Sequence, residues 1–137
     1  MKKINIAITG CLGRMGQQLI KSSKSVKNFK LVAVTENRTI NRRVFGLKPQ
    51  LNSESAFKNT NIIIDFTVPQ CTLEILKIAS KLRERVVIGT TGFSKRIFCS
   101  LVNEIGTSVT ARIYKSPKLL FLIIGIPFPR NLNCFPF

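Results

Sequence analysis

Short apolar runs alternate with longer amphipathic stretches along the first 95 residues. Ile4-Asn5-Ile6-Ala7-Ile8-Thr9 is apolar enough for a buried parallel strand. Met15 to about Ser25 reads as a helix, with Met15 and Leu19 on one face. Phe29 to Thr35 is the next strand, ending at Glu36. Residues 37 to about 52 have no strong period and carry Gly46 and Pro49, so they read as a loop. Ser53 to Lys58 fits a short helix with Ser53 as N-cap. Ile62 to Phe66 is apolar on both faces and belongs in the centre of a sheet. Pro69 to Arg83 is a helix with Pro69 in its first turn, where the missing N–H costs little. Leu73, Leu76, Ala79 and Leu82 fall on one face of it. Val86-Val87-Ile88 is a further buried strand, ended by Gly89-Thr90-Thr91-Gly92-Phe93. This alternation predicts an α/β domain built on a doubly wound parallel sheet.

The pattern changes after residue 95. Ile97, Phe98, Leu101, Val102 and Ile105 have helical spacing, with Ser94 as a cap and Gly106 as a stop. Ser108 to Tyr114 alternates like a strand, and the sequence from Leu119 is apolar and then Pro-rich. Residues 1–95 therefore read as one domain and 96–137 as a divergent tail.

The candidate chemistry centres on Gly10-Cys11-Leu12-Gly13-Arg14-Met15-Gly16, between the first strand and the first helix. Gly10 can make the tight turn, Gly13 leaves room for a pyrophosphate, and Gly16 lets the helix pack closely. The N–H groups at the helix start, with the positive end of its dipole, suit phosphates. The spacing is G-x-x-G-x-x-G rather than G-x-G-x-x-G, because Leu12 stands where the second glycine usually falls. An ordinary β-to-α turn is the competing reading, and Glu36 weighs against it. It stands 20 residues past Gly16, at the end of the second strand, where a carboxylate accepts from a ribose hydroxyl. Two more loops lie at strand carboxyl ends, where such sheets bind ligands. They are Phe66-Thr67-Val68-Pro69 and Gly89-Thr90-Thr91-Gly92, the latter with hydroxyls for a ribose or a nicotinamide amide. No catalytic residue and no metal ligand is assigned.

At 137 residues and 45% apolar composition the chain is long enough for a real core and is not a disordered segment. The net charge of +16 raises nucleic-acid binding as a reading. The cations are scattered, only Arg38, Arg42 and Arg43 cluster, and one Tyr with no Trp offers little base stacking, so a solvated basic surface is preferred. Lys2-Lys3 leads into a strand too short for a signal peptide, and the apolar run from Leu119 to Phe128 is too short to span a bilayer. Cys11, Cys71, Cys99 and Cys134 form no C-x-x-C pair, which points to a reducing cytoplasm.

The segments from Ala7 to Gly16, Glu36, Ile64 to Pro69 and Val87 to Phe93 together resemble the N-terminal half of the dihydrodipicolinate reductases, also called 4-hydroxy-tetrahydrodipicolinate reductases. The resemblance covers residues 1 to about 95 and implies a Rossmann-type sheet. It further implies NADH- or NADPH-dependent reduction in diaminopimelate and lysine biosynthesis, by a cytoplasmic homotetramer. By the same resemblance Gly10, Cys11, Leu12, Gly13, Arg14 and Met15 hold the pyrophosphate, Glu36 the adenine ribose, and Gly89, Thr90 and Thr91 the nicotinamide side.

The chain departs from the family pattern in two ways. Asn37 stands where the family often has an Arg for a 2′-phosphate, with Arg38 one place further on, so NADH is at least as good a candidate as NADPH. The substrate and tetramer domain, with its histidine pair, catalytic lysine and Gly-Thr loop, has no counterpart here, and the chain has no histidine. The expectation is a truncated reading frame, shifted near Ser94 to Arg96, with a compact domain that ends naturally as the alternative. Function then divides between an enzyme that handles its small-molecule substrate only when the missing domain is supplied, and a dinucleotide-binding module without catalysis.

Overall fold

The computed structural model of the chain describes residues 3–94, 96 and 97, and the backbone of 110–116 and 119–125. In chain order the elements are β1 (Ile4–Thr9), α1 (Arg14–Ser25), β2 (Phe29–Glu36), β3 (Gln50–Leu51), α2 (Glu54–Phe57), β4 (Ile62–Asp65), α3 (Pro69–Leu82), β5 (Arg85–Ile88), β6 (Thr110–Ser116) and β7 (Leu119–Gly125). They form one sheet in the order β3-β2-β1-β4-β5-β7-β6. The first five strands in that order are parallel. The chain winds outward from β1 through β2 and β3, then returns to start the other half at β4. The winding therefore changes direction between β1 and β4, where such sheets hold their ligands.

The expected doubly wound arrangement is present over β1–β5. Ile6, Ile8, Ile20 and Val34 are buried together on one face, under α1. Ala7, Phe57, Ile63, Ile75, Ala79 and Val86 are buried on the other, under α2 and α3. Beyond β5 the sheet departs from the all-parallel pattern. β7 pairs antiparallel with β5 (Val87 opposite Ile123), and β6 antiparallel with β7 (Ile113 opposite Leu122). β6 overlaps the strand expected from Ser108 to Tyr114. Of the expected helix from Ile97, only the start lies among the described residues, and there the Ile97 N–H donates to Ser94 Oγ at 3.3 Å, as a cap does. The rest of that helix lies outside them.

Both long helices are rotated from the expected faces. α1 buries Gly16, Ile20 and Ser23. Met15 is 47% exposed and Leu19 only half-buried. Seating Gly16 against the glycine turn carries its neighbours around the axis. α3 buries Cys71, Thr72, Ile75, Leu76 and Ala79, while Leu73 and Leu82 flank the core half-buried. Thr72 is drawn inward by a hydrogen bond to buried Asp65. In the stretch expected to be a loop, Gln50–Leu51 adds a two-residue edge strand, too short to leave a period in the sequence.

Candidate functional site

The glycine turn is shaped by three glycines with three different constraints. Gly10 leaves β1 with φ +61°, a left-handed conformation that side chains rarely adopt. Gly16 touches the turn so closely that a Cβ there would lie 2.1 Å from the Gly10 carbonyl oxygen. Gly13 differs from both. Its φ of −68° and ψ of 160° are ordinary extended backbone, and it is the N-cap of α1. A Cβ on Gly13 would meet only the Gly10 oxygen, at 3.2 Å, so the space beyond it is open. No side chain caps α1, and its first turn holds no acidic residue. The first N–H groups of a helix lack intrahelical partners, and this end carries the positive pole of the dipole. Arg14, exposed in that first turn, adds a cation.

Glu36 faces this turn because of an irregularity in β2. The β1–β2 register pairs Ile6 with Leu31 but Ala7 with Ala33, so one extra residue of β2 is accommodated there. Phe29 and Leu31 pack on the α1 face before the shift, and Val34 after it. Alternation then sends Glu36 to that same face. Its Oε1 accepts from the Leu12 backbone N–H at 3.2 Å. Without the extra residue the carboxylate would point at the opposite face.

The third loop is arranged differently from the expectation. Gly89 is buried, and a Cβ on it would lie 2.1 Å from the Phe66 ring. Thr91 is exposed, but Thr90 is 2% exposed and its hydroxyl is engaged within the protein. That hydroxyl accepts from the Thr67 N–H at 3.1 Å and lies 3.2 Å from Asp65 Oδ2. Thr9 and Thr67 donate to Asp65 Oδ1, each at 2.7 Å, and Thr72 donates to Oδ2 at 2.5 Å. Asp65 is fully buried at the end of β4. One carboxylate thus joins the ends of β1, β4 and β5 and the first turn of α3. A charged residue closing a central apolar strand was a signal for this group in the sequence.

Cys11 is fully buried beneath the turn. Burial, and secondarily the Glu36 carboxylate, push its thiol up to about 11. Burial raises the Cys71 thiol as well, and Asn52 Nδ2 donates to its sulfur at 3.3 Å. A polar cavity of about 610 Å³ lies at the other end of the sheet, lined by Asn5, Lys30, Lys58, Asn61 and Glu84 among others, and it includes no residue of the three loops. No helix among the described residues is long and apolar enough to cross a membrane.

The family profile described as "Dihydrodipicolinate reductase, N-terminus" matches residues 4–115, past the last of the motifs quoted above. The chain is 69% identical, over 96 residues, to the 4-hydroxy-tetrahydrodipicolinate reductase of Pelagibacter ubique, covering 70% of this chain and 37% of that protein. It is 37% identical to the enzyme of the same name from Buchnera aphidicola, covering 90% of this chain and 51% of that one. The chain thus spans about half the length, or less, of these curated relatives. The dipicolinate-bound dihydrodipicolinate reductase from Paenisporosarcina sp. TG-14 superposes with a TM-score of 0.60 at 25% identity, over 74% of this chain and 43% of that one. Homoserine dehydrogenase from S. aureus, at 15% identity and a TM-score of 0.58, over 75% of this chain and 29% of that one, shares the fold.

Proposed function

Because the chain belongs to the family of the dihydrodipicolinate reductase N-terminus, we propose that it forms the nicotinamide dinucleotide seat for NAD(P)H-dependent reduction of 4-hydroxy-tetrahydrodipicolinate, in the diaminopimelate and lysine route of a cytoplasm. The open, uncapped start of α1 carries this reading. Gly13 offers bare backbone where a pyrophosphate must come close, and unpartnered N–H groups, a helix dipole and Arg14 supply the positive field. Residues Gly10 to Met15 hold the pyrophosphate in this proposal. Glu36 turns from the Leu12 N–H to a ribose hydroxyl, and Gly89 to Thr91 flank the nicotinamide, Thr90 through its backbone because its hydroxyl is already used. The cofactor supplies the hydride when bound, and the protein's share is binding and orientation.

These 137 residues hold the dinucleotide, and in this proposal the groups that bind the acceptor and give it a proton are not among them. Titration of the purified chain with NADH by calorimetry tests the seat. Saturable binding that Gly13→Val removes from a folded protein is the expected result. No binding by the unmodified chain, or undiminished binding by a folded Gly13→Val variant, would overturn it.

A further inference from the structure

The Asp65 carboxylate has neighbours that satisfy it without neutralising it. Among the described residues its hydrogen-bond partners are four hydroxyls, from Thr9, Thr67, Thr72 and Thr90, two facing each oxygen. An ionised carboxyl group only accepts, and four hydroxyls, each with one proton to give, are enough to satisfy it as a carboxylate. Asp65 has no solvent exposure, and Thr9, Thr72 and Thr90 are buried with it. A charge in such a dry layer is felt further than one at the surface. Above the layer stands the Gly89–Thr91 turn, joined to Asp65 through Thr90 at 3.2 Å.

We propose that the buried Asp65 charge biases this site toward the cationic, oxidised nicotinamide ring over the neutral, reduced one. The inference rests on the dinucleotide reading above, with the nicotinamide on the Gly89–Thr91 side. Asp65 acts on the ring through space across Thr90, so it is a positioning residue and not a catalytic one. NAD+ and NADH differ in the charge of that ring and share everything else that the glycine turn and Glu36 would hold. The bias therefore appears in the ratio of their affinities. A structural role for Asp65 alone would move both affinities together.

The substitution Asp65→Asn keeps the shape and removes the charge. Its amide can donate where Oδ2 accepted, since Thr72 can turn its proton to the Val68 carbonyl at 3.2 Å and Thr90 to the Thr72 hydroxyl at 3.0 Å. Calorimetric titration of the full chain, unmodified and Asp65→Asn, with NAD+, NADH and ADP-ribose reads the effect. The expected result is a loss of about five-fold or more in NAD+ affinity relative to NADH, with ADP-ribose binding unchanged. A ratio that stays within about two-fold, whether both affinities hold or both fall, overturns the inference and leaves the seat intact. Failure of the unmodified chain to bind ADP-ribose overturns the dinucleotide reading and this inference with it. If circular dichroism shows Asp65→Asn unfolded, Thr90→Val decides. It keeps the charge and removes one donor that screens it, so the ratio moves further toward NAD+. No movement, or movement toward NADH, overturns the inference.

Discussion

Two glycines three residues apart have opposite fates on substitution. Gly13 has backbone angles that any residue adopts, and its missing Cβ faces one oxygen at 3.2 Å. Gly13→Val should cost stability only about 1 kcal/mol, while lowering NADH affinity about 100-fold or more, because the branched side chain fills the phosphate's space. A positive φ would have made the same change a folding defect, and it is absent. Gly16→Ala should do the reverse. Its Cβ would press to 2.1 Å from the Gly10 carbonyl, and backbone must move, so thermal unfolding should show a loss of about 2 kcal/mol or more. Glu36 sets a third expectation. Its carboxylate faces the turn, where a 2′-phosphate would be repelled, so NADH should bind more tightly than NADPH, and Glu36→Gln should narrow the gap. Titration of both cofactors at one salt concentration checks it. Cys11 gives a pH dependence. Its thiol is raised from 9.0 to about 11, so the folded protein holds that proton more tightly than the unfolded chain. The contribution is fully present below pH about 9 and is lost as pH rises toward about 11, which urea melts across that range would register. At this scale the placement of the glycines and Glu36 was legible, because strand-turn-helix spacing encodes it locally. Asp65 left a signal as a charge closing an apolar strand, but the hydroxyls around it did not, since Thr9, Thr72 and Thr90 come from different elements and loops and only the fold brings them to it.

The helices and central strands followed from periodicity, and their departures have particular causes. The rotation of α3 comes from Thr72, a polar residue that amphipathic counting assigns to the surface but that Asp65 holds inside. The shift between Ile6 and Ala7 in the β1–β2 pairing leaves no mark on a run as uniformly apolar as Leu31–Val34, yet it decides which face Glu36 takes. The antiparallel placement of β7 beside β5 was equally hidden, because an apolar run does not state its direction. The end of α3 offers a test at this scale. Arg83 sits at φ 57°, ψ 35°, and the Glu84 N–H reaches back to the Ala79 carbonyl at 3.0 Å, closing a Schellman motif on a non-glycine residue. Arg83→Gly relieves the left-handed cost and leaves those bonds in place. It should stabilise the protein by about 0.5–1 kcal/mol, read as a rise in the thermal midpoint. A fall would mean that the Arg83 side chain contributes more than its backbone strain removes.

At the largest scale, the decisive relation is between the proposed cofactor seat and the share of a reductase's length that these residues span. The chain covers 37% and 51% of two relatives that bear the enzyme's name. Binding a dinucleotide positions only one of two reactants. Hydride transfer also needs the acceptor held within roughly 3–3.5 Å of the ring. A proton donor near the acceptor contributes about 10²–10⁴-fold more. The described loops supply glycines, buried hydroxyls, Glu36 and Arg14. Thr90 is enclosed, and Cys11 holds its proton up to about 11, so neither is a ready acid at neutral pH. No histidine exists anywhere in the 137 residues to take that part. The purified polypeptide should therefore bind NADH and yet show no substrate-dependent NADH oxidation. The assay is absorbance at the reduced nicotinamide band with freshly generated 4-hydroxy-tetrahydrodipicolinate, and with Gly13→Val as the control for contaminating enzyme. Turnover that disappears in Gly13→Val would place acceptor binding and proton donation within these residues. Activity gained only on adding a separately expressed C-terminal half of a relative would place both groups there, and would show that the sheet edge beyond β5 leaves room for it to dock.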